Sequence, residues 1–210
     1  MFAQTLLPDT FRAVKLIAGL PDIKKAYLAG GTALALRVGH RISVDLDFFT
    51  TEDFDETVLA EKLKQTPEFK LGKTDWKTVI GVIGETKFSI FFYKYPIVEV
   101  FEEFEGIKIA GLQDLAAMKI HAVEDRGSKR DFVDVYFLAK KFSLEEMFDF
   151  YNQKYGVLDS HKYSIIKALG YFDAAETQEM PNMLIKTDWE EVKEFFDRET
   201  MRLGKKALDL

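Results

Sequence analysis

Residues 30–47 read Gly-Gly-Thr-Ala-Leu-Ala-Leu-Arg-Val-Gly-His-Arg-Ile-Ser-Val-Asp-Leu-Asp, and this is the most informative stretch of the chain. The glycine pair at 30 and 31 ends the short apolar run Ala26–Ala29, and Thr32–Val38 has the composition of a helix. The β-branched and aromatic run Ile42–Phe49 predicts a strand. The order of apolar run, glycine turn, helix and strand indicates a mixed α/β unit.

Two aspartates, Asp45 and Asp47, lie two positions apart in the predicted strand. Strand side chains alternate between faces, so the two carboxylates share one face, with Cα atoms roughly 6.6 Å apart. Neighbouring anions on a partly buried face repel each other unless a cation compensates them. Magnesium typically takes one or two protein carboxylates together with substrate phosphates. The pattern therefore predicts a site for Mg²⁺, or for Mn²⁺ in its place.

The turn at Gly30 and Gly31 favours phosphate binding. Glycine permits close approach of the backbone, and the first turn of the next helix offers free N–H groups, a positive dipole end and the Thr32 hydroxyl. A purely structural turn into a helix is the alternative for this segment taken alone. Twelve residues separate Thr32 from Asp45. This spacing predicts that the phosphate cradle and the carboxylates lie at one end of adjacent strands.

A second polar block begins in the predicted helix Leu112–Glu124, for which Asp114 is a candidate N-terminal cap. Lys119 and Arg126 are seven positions apart and therefore project from one helical face, which suits a polyanion. For Arg126 and the nearby Arg130, a solvated turn between helices is the alternative.

The next predicted helix, Ser128–Lys141, carries Asp131 and Asp134 as neighbours at i and i+3. Apolar residues surround Asp134, so we expect it to be paired, with Lys119, Arg126 and Arg130 as candidate partners. An ion pair that joins the two helices is the structural alternative to a functional role.

The two blocks together resemble the AbiEii/AbiGii toxin-like branch of the polymerase β-like nucleotidyltransferase superfamily. The first block supplies Gly-Gly-Thr-Ala-Leu and, from residue 40, His-Arg-x-Ser-x-Asp-Leu-Asp-Phe-Phe. The second supplies Asp-Leu-Ala-Ala-Met-Lys from residue 114, an Arg-Gly pair at 126 and Lys-Arg-Asp-Phe-Val-Asp from residue 129. The resemblance covers roughly residues 26–140.

The resemblance implies an α+β fold, in which a nucleotidyltransferase-like mixed sheet with flanking helices is followed by a helical region. The implied phosphate-binding residues are Gly30, Gly31, Thr32, Arg41, Ser43 and Lys119, and the implied catalytic metal ligands are Asp45 and Asp47. The implied supporting residues are Arg126, Arg130, Asp131 and Asp134. A polar turn remains the alternative for Arg41, and a strand-end contact the alternative for Ser43.

The resemblance also implies the activity and the partners. The chain is expected to move a nucleoside monophosphate from a nucleoside triphosphate to an acceptor, which is an RNA such as a transfer RNA, a protein or a small molecule. An antitoxin protein is an expected partner, and a membrane is not.

The chain departs from the superfamily at the expected third carboxylate. That acid usually comes from a following strand, and the predicted strand Lys87–Tyr93 presents Ser89 there. A serine is not a general base near neutral pH without help. Either Glu99, Asp114 or Asp134 replaces the acid, or the chain is a nucleotide-binding regulatory protein without turnover.

Length and composition bound the remaining expectations. The 210 residues suit an α/β core at 1–108 and a helical region at 109–210 that packs on it as one unit. Further strands are expected at Val79–Ile83 and Ile97–Phe101. The absence of cysteine excludes thiolate chemistry. No apolar run approaches the roughly 20 residues of a membrane span, and the start lacks the pattern of a secretory signal, so we expect a cytoplasmic protein. Two asparagines among many lysines and glutamates favour a thermophile.

Overall fold

The computed structural model describes residues 1–207, and the side chains of all of these except 158, 160 and 207. The chain forms two compact units, Met1–Leu112 and Gln113–Leu210. Within the described residues, every strand belongs to the first unit, and the second unit is helical.

The first unit begins with a short 3₁₀ turn and continues as four helices and seven strands. In chain order these are α1 (Pro8–Ile17), α2 (Pro21–Lys25), β1 (Tyr27–Leu28), α3 (Gly30–Val38), β2 (Leu46–Thr50), α4 (Glu56–Leu63), β3 (Phe69–Asp75), β4 (Thr78–Ile83), β5 (Thr86–Phe92), β6 (Glu102–Phe104) and β7 (Ile107–Ile109). Proline opens α1 and α2, because its fixed φ and missing N–H suit the first helical position.

The strands form one mixed sheet in the order β3-β4-β5-β2-β1-β7-β6. β2 is parallel to β5, and β1 is parallel to β7. The other neighbouring strands are antiparallel, as the short connections from β3 to β5 lead one to expect. The predicted mixed α/β fold is confirmed.

The two faces of the sheet differ in burial. We call the face that carries Phe48 and Phe88 the core face, because both side chains are buried. Helices α1 and α4 contact strands of this sheet, and the Thr10 and Thr86 hydroxyls meet at 3.4 Å. The opposite side, which carries Asp47, is here called the outer face. Its side chains are half-buried along β4, where buried and half-buried residues alternate.

The predicted strand at 97–101 is wrong. A strand forms instead at β6, which pairs with β7 through a turn at Glu105 and Gly106. Both turn residues have positive φ, of 49° and 81°, and such a two-residue turn matches the twist of a hairpin. The turn fixes the register, so Phe101 lies outside the ladder, where its ring stacks on Tyr27 at 4.9 Å.

The second unit consists of six helices in the described part of the chain. They are α5 (Leu112–Asp125), α6 (Lys129–Leu138), α7 (Leu144–Tyr155), α8 (Leu158–Leu169), α9 (Asp173–Glu176) and α10 (Trp189–Ala207). A capping box between Ser143 and Glu146 opens α7. Around the buried Phe132 ring, Phe172, Trp189 and Phe196 pack within 6 Å of its centroid.

Asp114 does not cap α5 as predicted. The helix begins at Leu112, as predicted, so Asp114 lies within its first turn, where it is fully buried. None of the helices in residues 1–207 is long and apolar enough to cross a membrane.

Candidate active site

The glycine turn lies directly against the second aspartate. Gly30 opens α3 with φ +67°, in the left-handed region that favours glycine. A Cβ atom at this position would lie 3.2 Å from Asp47 Oδ2. The Ala29 N–H also donates to the Asp47 carbonyl at 3.0 Å. Gly30 is therefore required both by the backbone conformation and by the space that the carboxylate takes.

Thr32 holds the loop that carries the first aspartate. Its hydroxyl donates to the carbonyl of Asp45 and lies 2.9 Å from Ser43 Oγ, and the side chain is buried. Because a side chain takes the Asp45 carbonyl, β2 begins only at Leu46, and the predicted start at Ile42 is wrong. Asp45 thus precedes the strand, and its carboxylate belongs to a loop tied to α3.

Gly31 leaves room for the guanidinium group of Arg41. A Cβ at position 31 would collide with Arg41 Nη2 and would lie 3.3 Å from Ser43 Oγ. Arg41 is only 4% exposed, and its Nη1 donates to the carbonyl of Ile42 at 3.1 Å. A buried cation therefore lies beside the first turn of α3, where the helix dipole is also positive. The guanidinium group and the helix dipole together favour the binding of an anion.

Ser89 faces Asp47 across parallel strands β5 and β2. Its Oγ donates to Asp47 Oδ1 at 2.5 Å and is largely buried. The hydrogen bond orients one carboxylate oxygen. Within residues 1–207 there is no group of three or more histidine, aspartate or glutamate side chains that could hold a metal. The metal ligands predicted here are two carboxylates, a number that Mg²⁺ commonly takes from protein.

The second predicted block forms a buried charge cluster in the helical unit. Lys119 Nζ lies 3.0 Å from Asp131 Oδ1 and 2.7 Å from Asp134 Oδ2, and both carboxylates are at most 1% exposed. The expected pairing of Asp134 is therefore present, and its partner is Lys119. The ammonium group compensates two buried anions and joins α5 to α6. Its predicted contact with a triphosphate stays a prediction.

Arg126 completes this cluster. Its Nε and Nη2 donate to the two oxygens of Asp131 at 2.8 and 3.0 Å, and Ser128 Oγ donates at 2.5 Å. Burial alone would raise the pKa of Asp131, but Lys119, Arg126 and Ser128 together hold this pKa well below its usual value. Arg130 is exposed on α6 and forms no ion pair with the described residues.

A second buried ion pair joins Asp114 to Lys154, a residue that is not among the predicted ones. Lys154 Nζ on α7 is 2.6 Å from Asp114 Oδ1, and both side chains are fully buried. The sequence holds a signal for it, because Lys154 continues the buried stripe of Met147 and Tyr151 at helical spacing. A lysine on such a stripe needs a buried carboxylate.

The three carboxylates proposed to replace the third acid occupy different surroundings. Asp114 and Asp134 are each held by a buried lysine within the helical unit. The side chain of Glu99, in the first unit, packs against Gly111, where a Cβ would lie 2.5 Å from Glu99 Cβ.

Comparison with known proteins identifies the family of this chain. Residues 18–208 match the family described as nucleotidyl transferase AbiEii toxin, Type IV TA system. An uncharacterized protein of Aquifex aeolicus is 39% identical over 198 aligned residues, and the match covers 89% of this chain and 91% of that protein.

Two solved structures share the fold. MenT4, a nucleotidyltransferase toxin from Mycobacterium tuberculosis, has a TM-score of 0.59 at 14% identity, over 91% of this chain and 80% of its own. JHP933 from Helicobacter pylori has a TM-score of 0.50 at 21% identity, over 95% and 93% of the two chains. At these identities the likeness shows the fold alone.

Proposed function

The chain belongs to the AbiEii family of nucleotidyl transferase toxins, and we propose that it moves a nucleoside monophosphate from a nucleoside triphosphate to an acceptor. The observation that carries this proposal is the close approach of Gly30 to Asp47. It brings the first turn of a helix, which favours phosphate, next to a carboxylate that suits a metal.

The residues at this site fit a divalent cation. Asp45 and Asp47 are both half-buried, so each carboxylate keeps access to solvent and to a ligand. Gly30 leaves open the space that any larger residue would fill beside Asp47 Oδ2. When bound there, Mg²⁺ or Mn²⁺ would neutralise charge on the triphosphate and on the attacking and leaving oxygens.

The chain's own residues position the reactants. The free N–H groups at the start of α3 and the buried Arg41 guanidinium bind the triphosphate oxygens. Thr32 keeps the Asp45 loop in place through the Asp45 carbonyl, and Ser89 orients Asp47.

Ser89 also supports a second candidate function. Because a hydrogen-bond donor faces Asp47 where a third acid is expected, the site binds nucleotide without supplying an evident base. A nucleotide-binding regulatory protein without turnover would show magnesium-dependent nucleotide binding and no transfer to any acceptor.

We propose further that the chain acts as the toxin of a toxin–antitoxin pair in the cytoplasm, where nucleoside triphosphates are made. The family description supports this role. Induced expression is then expected to arrest growth, and an antitoxin encoded next to the gene is expected to relieve the arrest. Growth unaffected by the wild-type chain would contradict the toxin role.

Asp45→Asn tests the enzymatic proposal. The full-length protein is incubated with each labelled nucleoside triphosphate, Mg²⁺ or Mn²⁺, and total cellular RNA and protein as acceptors. We expect transfer by the wild-type chain and by Asp9→Asn, an exposed control on α1, and none by Asp45→Asn. Equal transfer by Asp45→Asn would overturn the assignment of that carboxylate.

A further inference from the structure

Three exposed lysines lie on the outer face of the sheet, the face that carries Asp47. Lys70 on β3 is opposite Val82 on β4, and Val82 is opposite Lys87 on β5. Residues that face each other across strands share one side of a sheet, so Lys70 and Lys87 flank Val82. With neighbouring strands about 4.8 Å apart, their Cα atoms are about 10 Å apart.

The third lysine lies in the same row as the proposed metal ligand. Asp47 is opposite Ser89, Ser89 is opposite Ile80, and Ile80 is opposite Lys73. This row crosses from β2 to β3, so Lys73 lies three strand spacings, about 14 Å, from Asp47. We call Lys70, Lys73 and Lys87 the lysine patch.

A bulge in the edge strand brings Lys70 and Lys73 to the same face. Residues three apart on a regular strand point to opposite sides. The register of β3 shifts between Leu71 and Lys73, which leaves Gly72 as the extra residue. A bulge of this kind turns the following side chain to the other face. Without it Lys73 would point to the core face.

The three lysines of the patch share one face of the sheet, and no ion pair in the described part of the chain compensates their charges. All three lysines are exposed, and none of them forms an ion pair with the described residues. Five other lysines of the unit do so, at 15, 25, 62, 64 and 77. A carboxylate on the same face of β3, that of Asp75, accepts from the Trp76 N–H. Three lysines against this one carboxylate leave the outer face of β3–β5 with a net positive charge.

The patch lies on the β5 side of Asp47, and the phosphate cradle lies on the β1 side. Gly30, at the phosphate cradle, follows β1 after one residue, and β1 borders β2 on one edge. The patch belongs to β3 and β5, and β5 borders β2 on its other edge. An in-line displacement places the attacking and leaving groups on opposite sides of the reacting phosphorus. A group that attacks from the β5 side would thus approach over the patch.

We propose that the lysine patch binds the phosphodiester backbone of a nucleic-acid acceptor and guides its hydroxyl toward the Asp47 carboxylate. This inference rests on the proposed function and specifies the class of acceptor. About 10 Å is the length over which one nucleic-acid strand presents about three phosphates. Because the chain carries a net charge of −6, a short segment at this patch is bound, and not a long tract.

The test replaces all three patch lysines with glutamine. The control is Lys15→Gln, Lys62→Gln and Lys64→Gln, which removes the same charge from exposed lysines elsewhere in the unit. Binding of single-stranded RNA and of DNA of the same sequence is measured from 50 to 200 mM salt. Each lost phosphate contact lowers the slope of log K against log salt by about 0.7. We therefore expect the magnitude of this slope to fall by about 2 in the patch variant and to change little in the control.

Nucleotide binding separates this inference from the proposed function. The dissociation constant for a labelled nucleoside triphosphate with Mg²⁺ is expected to be equal in all three proteins. If the wild-type chain binds no nucleotide, the proposed function fails, whereas the patch is still judged by the salt slope. Two results would overturn the patch inference. One is a slope of log K against log salt that is unchanged in the patch variant. The other is transfer that occurs only to protein and that the patch variant performs as well as the wild type.

Discussion

Replacing Gly30 with alanine perturbs the proposed site in two ways. The residue has φ +67°, and an L-residue in the left-handed region costs about 1–2 kcal/mol. The new Cβ would lie 3.2 Å from Asp47 Oδ2, so the carboxylate must move by a few tenths of an ångström. Since a misplacement of about 1 Å costs about 100-fold in rate, we expect kcat/KM to fall about three- to tenfold.

Gly156→Ala is the matched control. Gly156 ends α7 with φ +70°, and no atom lies within 4 Å of a Cβ built there. The backbone penalty is therefore the same, without any steric contact. Thermal unfolding is expected to show a melting temperature lower by about 2–8 °C in each variant, while only Gly30→Ala loses transfer.

The assay is transfer of labelled nucleotide at a temperature at which both variants remain folded. If Gly156→Ala loses as much activity as Gly30→Ala, the loss reflects stability and not the position of Asp47. If Gly30→Ala transfers at the wild-type rate, the close approach of the helix to the carboxylate has no role in the reaction.

Two further substitutions test other parts of the site, and a third tests the charge cluster of the helical unit. Gly31→Ala favours the helix by up to about 1 kcal/mol, but the new Cβ displaces the Arg41 guanidinium. The dissociation constant for nucleotide, measured by calorimetry, should therefore rise about tenfold. An unchanged dissociation constant would show that Arg41 does not bind the nucleotide. Ser89→Ala removes a hydrogen bond to charged Asp47 worth about 1.5–3 kcal/mol, so transfer should fall about 10- to 100-fold, and full activity would show that the bond is dispensable. Asp131 has a lowered pKa in the folded state, so its stabilising effect is present above pH about 4 and is lost as pH falls below that. The free energy of unfolding, measured with urea, should therefore fall more steeply with acid pH in the wild type than in Asp131→Asn. An equal fall in both proteins would contradict this.

The order of elements around the glycine turn could be predicted because local chemistry determines it. A glycine with positive φ, followed by alanine and leucine, starts a helix at Gly30, and the apolar run after it forms β2. The beginning of β2 could not be predicted, since it depends on a hydrogen bond from Thr32, thirteen residues away.

In the charge clusters, too, the features set by neighbouring residues could be predicted, and those that depend on distant residues could not. Pairing of Asp134 followed from its apolar neighbours, because a buried carboxylate needs a cation. Lys154 carried the same signal on its helix, but its partner Asp114 is 40 residues distant. The lysine patch depends on a register shift at Gly72 and on pairing across three strands, which spacing along one strand does not reveal. A glycine within a strand is the local sign of such a bulge.

Paired labels on one nucleoside triphosphate test the claim that the site transfers a nucleotide. The wild-type chain is incubated with Mg²⁺ and cellular RNA and protein, using triphosphate labelled at the α-phosphorus in one sample and at the γ-phosphorus in the other. Nucleotidyl transfer predicts that only the α-label enters the acceptor, and that Asp47→Asn abolishes this. Entry of the γ-label, or α-labelling that persists in Asp47→Asn, would contradict the claim.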